Sequence, residues 1–300
     1  MTASSTLLKH PFKDKHHPVL LTIWNTKGDG RARIAKLKDL VDGGTTVNAQ
    51  YDILHEQTGE PKAKVTPLII ACFEGDLDLI KFLLDNKADP NQTESEHNLT
   101  PIHVLCDAPY KGQTLTDRAD LIHLMVKKGA DVNHLDKHNM ASIHKAVIHN
   151  HVDCTQALLE EKANPNIALE GDTALVIAAR NGQSKILKLL LNNKETKIDV
   201  RNEHGGTVLH FAAAGMIDSP ECVELLLGQG INVNIQDSKM NTPAMIACFF
   251  NKPRILTALI NAGADITIKN NEGKDCHAVT VDRDVEDCKQ IIENEFAKRK

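Results

Sequence analysis

A pattern of about 33 residues recurs along the chain and limits what it can fold into. The pattern opens with a short apolar segment, as in "TPLIIAC" at residues 66–72, and continues to a second one, as in "LIKFLLDNKADPN" at residues 79–91. Corresponding first segments begin at Thr66, Thr100, Ala141, Thr173, Thr207 and Thr242, and a weaker one at Asp275. The successive separations are 34, 41, 32, 34, 35 and 33 residues. A recurrence of this length predicts a stack of similar units rather than a single core.

Each copy of the pattern is expected to form two short helices. The Thr66 hydroxyl can cap the first helix, and Pro67 suits the first helical turn, where no N–H partner is needed. The second segment carries apolar residues at i, i+3 and i+4, and it ends at Gly, Asn or Lys before an Ala-Asp-x-Asn turn. Neither helix could bury its apolar face alone, so burial between neighbouring copies has to supply the core.

The Thr-Pro starts, the paired leucines and endings such as "GADVN" at residues 129–133 resemble the ankyrin repeat. The resemblance covers roughly residues 17–298 and implies an all-α repeat solenoid, in which helix-turn-helix pairs are joined by β-hairpin-like turns. Ala141 and Ser142, like Thr173 and Ala174, depart from the Thr-Pro start of the family. After an N-terminal segment at 1–16 we expect seven or eight repeats, the first degenerate and the last a polar capping repeat, at 17–55, 64–97, 98–138, 139–170, 171–204, 205–239, 240–272 and 273–298.

Three repeats contain extra residues between their two helices. About eight follow Cys106, within residues 108–117, about six lie in "TKGDGRAR" at 26–33, and about two lie in "MIDSP" at 216–220. All three are expected along one edge of the solenoid, opposite the turns that join repeats. Loop lengthening costs little closure entropy, so the insertions could be neutral. The alternative is a partner-specific loop topped by Tyr110 and Lys111, because insertions in repeats often mark a binding face.

The cysteines do not form a catalytic pattern. Cys72, Cys106 and Cys248 each lie six residues after the start of a repeat, where other repeats have Ala, so they are interpreted as small buried residues. The chain has seven cysteines and no CxxC motif, which favours a reducing compartment over a disulfide framework.

The histidines are likewise interpreted as structural. His103, His144 and His210 occupy the His position of the family's start motif, where the resemblance implies a hydrogen-bonding role between turns. The dense "HLDKH" at 134–138 lacks a Cys pair or carboxylate at ligand spacing, and we find no Gly-rich phosphate loop or nucleophile elbow. The sequence therefore predicts no enzyme, no cofactor and no metal. A metal- or thiol-dependent enzyme is the least favoured alternative.

The resemblance implies that a partner protein binds in a concave groove formed by first-helix faces and turn tips. Exposed aromatic side chains are common anchors of binding energy, although Trp24 could instead pack under residues 1–16 and Phe249 or Phe250 on the last repeat. The groove candidates are Trp24, Phe73, Glu74, Asp107, Lys145, Ile148, His149, Arg180, Asn181, Phe249 and Phe250. The turn-tip candidates are Glu94, His97, Asp136, His138, Glu203, His204 and Lys239.

The sequence as a whole predicts a non-enzymatic protein–protein interaction module, a monomeric scaffold in the cytoplasm. The net charge of −5 argues against a nucleic-acid partner, and no apolar run approaches the ~18 residues of a membrane span. The alternative is the targeting portion of a larger enzyme or of a secreted effector of an intracellular bacterium, acting in host cytosol or nucleus. Usage rich in Asn, Lys and Ile fits a low-GC organism.

Overall fold

The computed structural model describes residues 18–25, 30–54, 61–107 and 115–298 of the 300-residue chain. The chain divides into two compact units, which we call the N-terminal half (residues 1–164) and the C-terminal half (residues 165–300). The N-terminal half contains α1 (Pro18–Asn25), α2 (Gly30–Asp42), β1 (Tyr51–Leu54), β2 (Pro61–Val65), α3 (Pro67–Glu74), α4 (Leu77–Asp85), α5 (Pro101–Asp107), α6 (Leu115–Lys127), α7 (Ser142–Ile148) and α8 (Val152–Glu160).

The C-terminal half repeats the same pairing of a short first helix with a second helix. Its elements are α9 (Ala174–Arg180), α10 (Ser184–Asn192), α11 (Val208–Ala213), α12 (Pro220–Leu227), α13 (Pro243–Phe249), α14 (Pro253–Asn261), α15 (Cys276–Arg283) and α16 (Glu286–Lys298). The helical architecture confirms the predicted all-α repeat solenoid as the fold class. Among the residues that the structure describes, none of the helices combines the length and apolar character that a bilayer crossing needs.

Several first helices begin at a side-chain hydrogen bond that caps the helix. The Thr66 hydroxyl accepts a hydrogen bond from the Ile69 N–H at 3.2 Å, which satisfies one of the unpaired donors at the helix start. In α7, which lacks a capping hydroxyl, the His144 Nδ1 accepts instead from the Ala141 N–H at 3.0 Å. Thr173 makes no such side-chain bond, so the predicted hydroxyl cap is confirmed only in some repeats.

The core lies between neighbouring repeats. Within each half, consecutive first helices from α3 onward pack on one another, and so do consecutive second helices. All seven residues of α5 are buried, whereas second helices such as α4 bury one side only. Cys72, Cys106 and Cys248 are fully buried, which confirms that these thiols fill the small-residue position.

Two histidines connect the start of one repeat to the turn before the next. His103 accepts a hydrogen bond at Nδ1 from the Thr100 hydroxyl at 2.7 Å and donates from Nε2 to the Met140 carbonyl at 3.0 Å. His210 donates in the same way to the Asn241 carbonyl at 3.0 Å. The predicted structural role of these imidazoles is therefore confirmed.

Asparagine side chains form a second set of bridges that sequence reasoning missed. The Asn91 amide donates to the Gly129 carbonyl and accepts from the Asp131 N–H, both at 2.8 Å. Asn48 and Asn166 make the same pair of bonds to the repeat that follows each of them. One amide thus fixes the register of two turns, because it offers a donor and an acceptor together.

The connection between α2 and α3 is an antiparallel hairpin, which the sequence did not predict. Strands β1 and β2 pair from Tyr51 opposite Val65 to Leu54 opposite Pro61, and a bulge follows Ile53. Tyr51 and Val65 are buried. Of the insertions, 216–219 joins α11 to α12 as expected, while 30–33 belongs to α2, and 26–29 and 108–114 lie outside the described residues.

Acidification should lower the free energy of unfolding, because His103 is buried as a neutral ring. Burial lowers the pKa of His103 from 6.5 to about 4, against the opposing effect of its bond to Met140. Between these values the unfolded chain binds a proton that the folded chain does not, so stability is lost as the pH falls. We expect a loss of about 2 kcal/mol between about pH 7 and about pH 5 by urea denaturation.

The matched variants separate this ring from the other histidines. His103→Gln keeps a donor for the Met140 carbonyl but has no proton to gain, so it should lose this part of the pH dependence. His204→Gln removes a ring that is 75% exposed, and this variant should keep the pH dependence of the wild type. Equal pH dependence in His103→Gln and the wild type would show that His103 is not the titrating group.

Candidate protein-binding surface

The ends of the first helices lie beside the tips of the turns that precede them. We call this surface the inner face, and it consists of the last two positions of each first helix region together with the turn-tip side chains. In the C-terminal half, Lys239 and Glu272 of two turns line one cavity with Phe249, Phe250 and Arg283 at helix ends. The inner face therefore brings together residues from separate repeats in each half.

In the N-terminal half the polar residues of the inner face pair with one another. The His149 Nε2 lies 2.8 Å from a carboxylate oxygen of Asp107, which joins the ends of α5 and α7. The Lys145 ammonium lies 3.3 Å from the Asp136 carboxylate, and both side chains are more than nine-tenths buried. Ile148 is 40% exposed.

Four predicted contact residues are not exposed, and this corrects the sequence analysis. Asp107 and Lys145 are buried by the pairs just described. Asp136 is buried because its Oδ1 accepts the N–H groups of the turn at residues 138 and 140, at 2.8 and 2.9 Å. Glu94 is fully buried because its two oxygens accept three N–H groups of its own turn, at residues 96, 97 and 99. These side chains hold the turns and the helix ends in place.

The pKa of Asp136 reflects burial on one side and hydrogen bonds and the charge of Lys145 on the other. Burial raises the pKa of the carboxyl, but the N–H bonds at Met140 and His138 and the charge of Lys145 oppose it and hold the pKa below its ordinary value. The lowered pKa favours the ionised form of Asp136, and each partner of the buried pair is costly to remove alone.

Glu74 and Phe73 occupy the end of α3. The Arg33 guanidinium is 4% exposed, bonds to Asp76 and lies 3.7 Å from Glu74, whose side chain is only 10% exposed. Arg33 thereby joins α2 to the turn after α3. Phe73 is half-buried.

In the C-terminal half Arg180 and Asn181 end helix α9. The Arg180 guanidinium lies 2.5 Å from Asp172 and covers the Phe211 ring, 4.9 Å from its centroid. Asn181 is half-buried. This part of the inner face is partly covered by its own salt bridge.

The aromatic pair at the end of α13 is an open apolar part of the inner face. Phe249 is 41% exposed and Phe250 is 48% exposed, and their rings meet edge to face at 5.0 Å. The Arg283 guanidinium covers the Phe249 ring at 4.1 Å. These residues border a cavity of about 300 Å³, with Met245 and Val279 among its buried lining residues.

Charges around this cavity are not balanced. Lys274 lies 2.6 Å from Glu272 and 2.9 Å from Asp282, and its hydrogen bond lowers the pKa of the Glu272 carboxyl. Lys239 and Arg283 form no ion pair with a carboxylate in the described ranges. The three cationic and two anionic side chains of the lining leave one positive charge in excess.

Sequence reasoning missed Arg283 although a signal was present. Phe73, Phe249 and their counterparts lie seven residues after the start of each repeat, and Glu74 and Phe250 lie eight residues after it. The same count from the weaker start at Asp275 reaches Arg283. Extending the pattern to the last repeat would have included it.

The remaining candidates divide into exposed and undescribed residues. Four of them are exposed, namely His138, Glu203, His204 and Lys239, and His97 is half-buried. The side chain of Trp24 and the residues Tyr110 and Lys111 lie outside the described residues.

One group of side chains could approach a metal ion, and two of the buried thiols have raised pKa values. Among described residues, Glu94, Glu96 and His97 bring ligand atoms within 4.8 Å of one another. The Glu94 carboxylate is already engaged by three turn N–H groups, so the cluster is accounted for by turn structure. Burial raises the pKa of the Cys72 and Cys222 thiols, which disfavours the nucleophilic thiolate.

Comparison with known families and proteins agrees with the repeat architecture. A family model for ankyrin repeats in three copies matches residues 114–202 and 194–270, and a single-repeat model matches residues 64–95. The B-cell lymphoma 3 protein homolog of Mus musculus is 29% identical over 220 residues, 71% of this chain and 46% of that protein. A probable serine/threonine-protein kinase of Dictyostelium discoideum is 30% identical over 149 residues, 37% of this chain and 18% of that protein.

A solved structure gives the same fold. The human ASB11 ankyrin repeat domain superposes with a TM-score of 0.63 at 22% identity, covering 76% of this chain and 97% of that domain. The chain spans less than half the length of the curated relatives it matches.

Removing Asp136 should destabilise the protein more than removing the equivalent acid of another repeat. Asp237 accepts the N–H groups at residues 239 and 241 as Asp136 accepts those at 138 and 140, but no buried lysine in the described part of the chain pairs with it. We expect Asp136→Ala to lower the free energy of unfolding by about 3 kcal/mol or more. We expect about 1–2 kcal/mol for Asp237→Ala, from the same denaturation experiment. Equal losses would contradict a stabilising role for Lys145 and Asp136 as a buried pair.

Proposed function

Because the chain belongs to the ankyrin-repeat family, we propose that it is a non-enzymatic module that binds a partner protein through the inner face. The ankyrin-repeat fold is typically non-catalytic, and the thiols and histidines described above have structural roles. The observation that carries the proposal is the exposed pair Phe249 and Phe250 beside the cavity. Large exposed rings are unfavourable in water, and a partner that covers them gains that free energy.

The aromatic pair has the properties of a binding hot spot. Its rings are already ordered by their mutual contact and by Arg283, so little side-chain entropy is lost when a partner covers them. Residues that anchor interfaces in this way contribute about 2 kcal/mol or more each. Phe73, Ile148, His149, Arg180 and Asn181 supply further contacts in the proposal, of lower weight because most of them are half-buried or paired.

The edge insertions form a second contact in this proposal. In the loop that joins α11 to α12, Met216 is 74% exposed and Ile217 is 60% exposed. The loop is held by Asp218, whose carboxylate accepts the N–H groups of Arg254 and Ile255 in the next repeat.

We propose a monomer that acts in the cytoplasm.

A second candidate function is the targeting portion of a longer enzyme or of a secreted effector. The observation that favours it is that the curated relatives, one of them a probable protein kinase, are more than twice as long as the part this chain matches. Sequencing the complete transcript tests it. A reading frame that extends beyond these 300 residues at either end into a catalytic domain would support this candidate, and a reading frame without one would contradict the longer-enzyme form of it.

The proposed function predicts that the aromatic pair is required for partner capture. Wild-type protein and a Phe249→Ala/Phe250→Ala variant would be immobilised and exposed to a lysate of the source organism, with bound proteins quantified by mass spectrometry. We expect the variant to lose specific partners by at least about tenfold, because two hot-spot side chains are removed.

The matched control is Met216→Ala/Ile217→Ala, which removes two exposed apolar side chains from the edge loop. Circular dichroism has to show that both variants keep the wild-type helix content. If the edge variant loses the partners and the aromatic variant keeps them, recognition lies on the insertion edge. If both variants capture the wild-type set, neither surface carries the function.

A further inference from the structure

The cavity beside Phe249 and Phe250 has two features that together define a ligand. Its inner lining is apolar, with Met245 1% and Val279 8% exposed, and its volume of about 300 Å³ is enough for one or two large side chains. Its rim carries Lys239 on a turn tip and Arg283 at the end of α15. An occupant therefore meets an aromatic wall and a cationic rim at once.

The lining is positive although the protein is negative. Three cationic side chains and two carboxylates line the cavity, whereas the whole chain has a net charge of −5. Both carboxylates, Glu272 and Asp282, are held by Lys274. Neither Lys239 nor Arg283 forms an ion pair with a carboxylate among the described residues, although the Lys239 charge acts on Glu272. With three cations against two carboxylates, charge complementarity favours an anionic ligand.

The chain's own termini do not fit this requirement. Residues 1–16 contain three lysines and one aspartate, and the chain ends in "AKRK". Both segments are cationic and would be repelled by the rim of the cavity. Neither of these two segments has the charge of a complementary occupant.

Resting on the proposed function, we infer that this cavity binds an extended acidic segment of the partner protein, inserting a large apolar side chain between Phe250 and Val279 with Asp or Glu residues beside it. The apolar side chain loses its water-exposed area against the two rings. The flanking carboxylates pair with the Arg283 guanidinium and the Lys239 ammonium. Arg283 is already positioned by its stacking on Phe249. Its guanidinium can therefore pair with a carboxylate of the ligand without further ordering of the side chain.

Three fluorescein-labelled peptides test this assignment on the complete chain by fluorescence anisotropy. Their sequences are Glu-Asp-Leu-Phe-Asp-Glu, Lys-Lys-Leu-Phe-Lys-Lys and Glu-Asp-Ser-Ser-Asp-Glu. We expect the first to bind at least about tenfold more tightly than either of the others, and more weakly as salt is raised. Equal or tighter binding of the lysine peptide, or no binding of the first peptide, overturns the inference.

Charge variants identify where the acidic peptide binds. Lys239→Gln/Arg283→Gln should weaken its binding at least about tenfold, while Lys185→Gln/Lys188→Gln, which removes two exposed cations from α10, should leave it unchanged. Equal weakening by both double variants would indicate a general charge effect and overturn the site. Dimerisation in sedimentation experiments that Phe250→Ala abolishes would also overturn it, because the occupant would be a second copy.

Failure of the acidic-segment inference can be distinguished from failure of the proposed function. Partner capture that is lost with Phe249→Ala/Phe250→Ala but retained with Lys239→Gln/Arg283→Gln would leave the inner face as the binding surface. Only the inference that the ligand is acidic would then be wrong.

Discussion

Burial between neighbouring repeats is the interaction on which the structure depends. Helix α5 is buried on all sides, which its single partner α6 cannot achieve, and α3 and α7 supply the remaining cover. Polar bridges act at the same contacts. The His103 ring and the Asn91 amide each bond to the backbone of the following repeat, so the register of the turns is fixed where the apolar side chains meet. The inner face is a consequence of this stacking, because its residues come from different repeats.

The positions that repeat in sequence are the ones whose structure could be predicted. The starts of the first helices and the small position of Cys72 follow from local spacing, and both are present. The structural role of His103 was implied by the resemblance to the ankyrin repeat, and it is present too. The burial of Asp136 and Lys145 could not be predicted in the same way. Asp136 lies in a polar segment of the kind that is usually a solvated turn. Its burial depends on a lysine in the next helix together with two turn N–H groups. The same holds for Arg33, which meets Asp76 across 43 residues of chain.

The two halves present different inner faces. In the N-terminal half the polar side chains at the helix ends, such as Asp107 and His149, satisfy one another. In the C-terminal half the rings of Phe249 and Phe250 remain open beside a cavity with a cationic rim. The β1–β2 hairpin was missed because its strands are only four and five residues long, too short to give a clear period-two pattern. Beside it, the Lys64 N–H donates to the Ser95 hydroxyl at 2.8 Å, a contact with the next turn that local spacing does not reveal.

The most direct test of the stacking account is the circular dichroism of the isolated fragment 240–272. This fragment contains α13, α14 and both exposed rings, yet it lacks the repeats that bury Met245 and Cys248. If burial between repeats supplies the core, the fragment has little helix in water and shows no cooperative thermal transition, whereas the complete chain shows both. A fragment that is helical and melts cooperatively would show that one repeat folds by itself and would contradict the account.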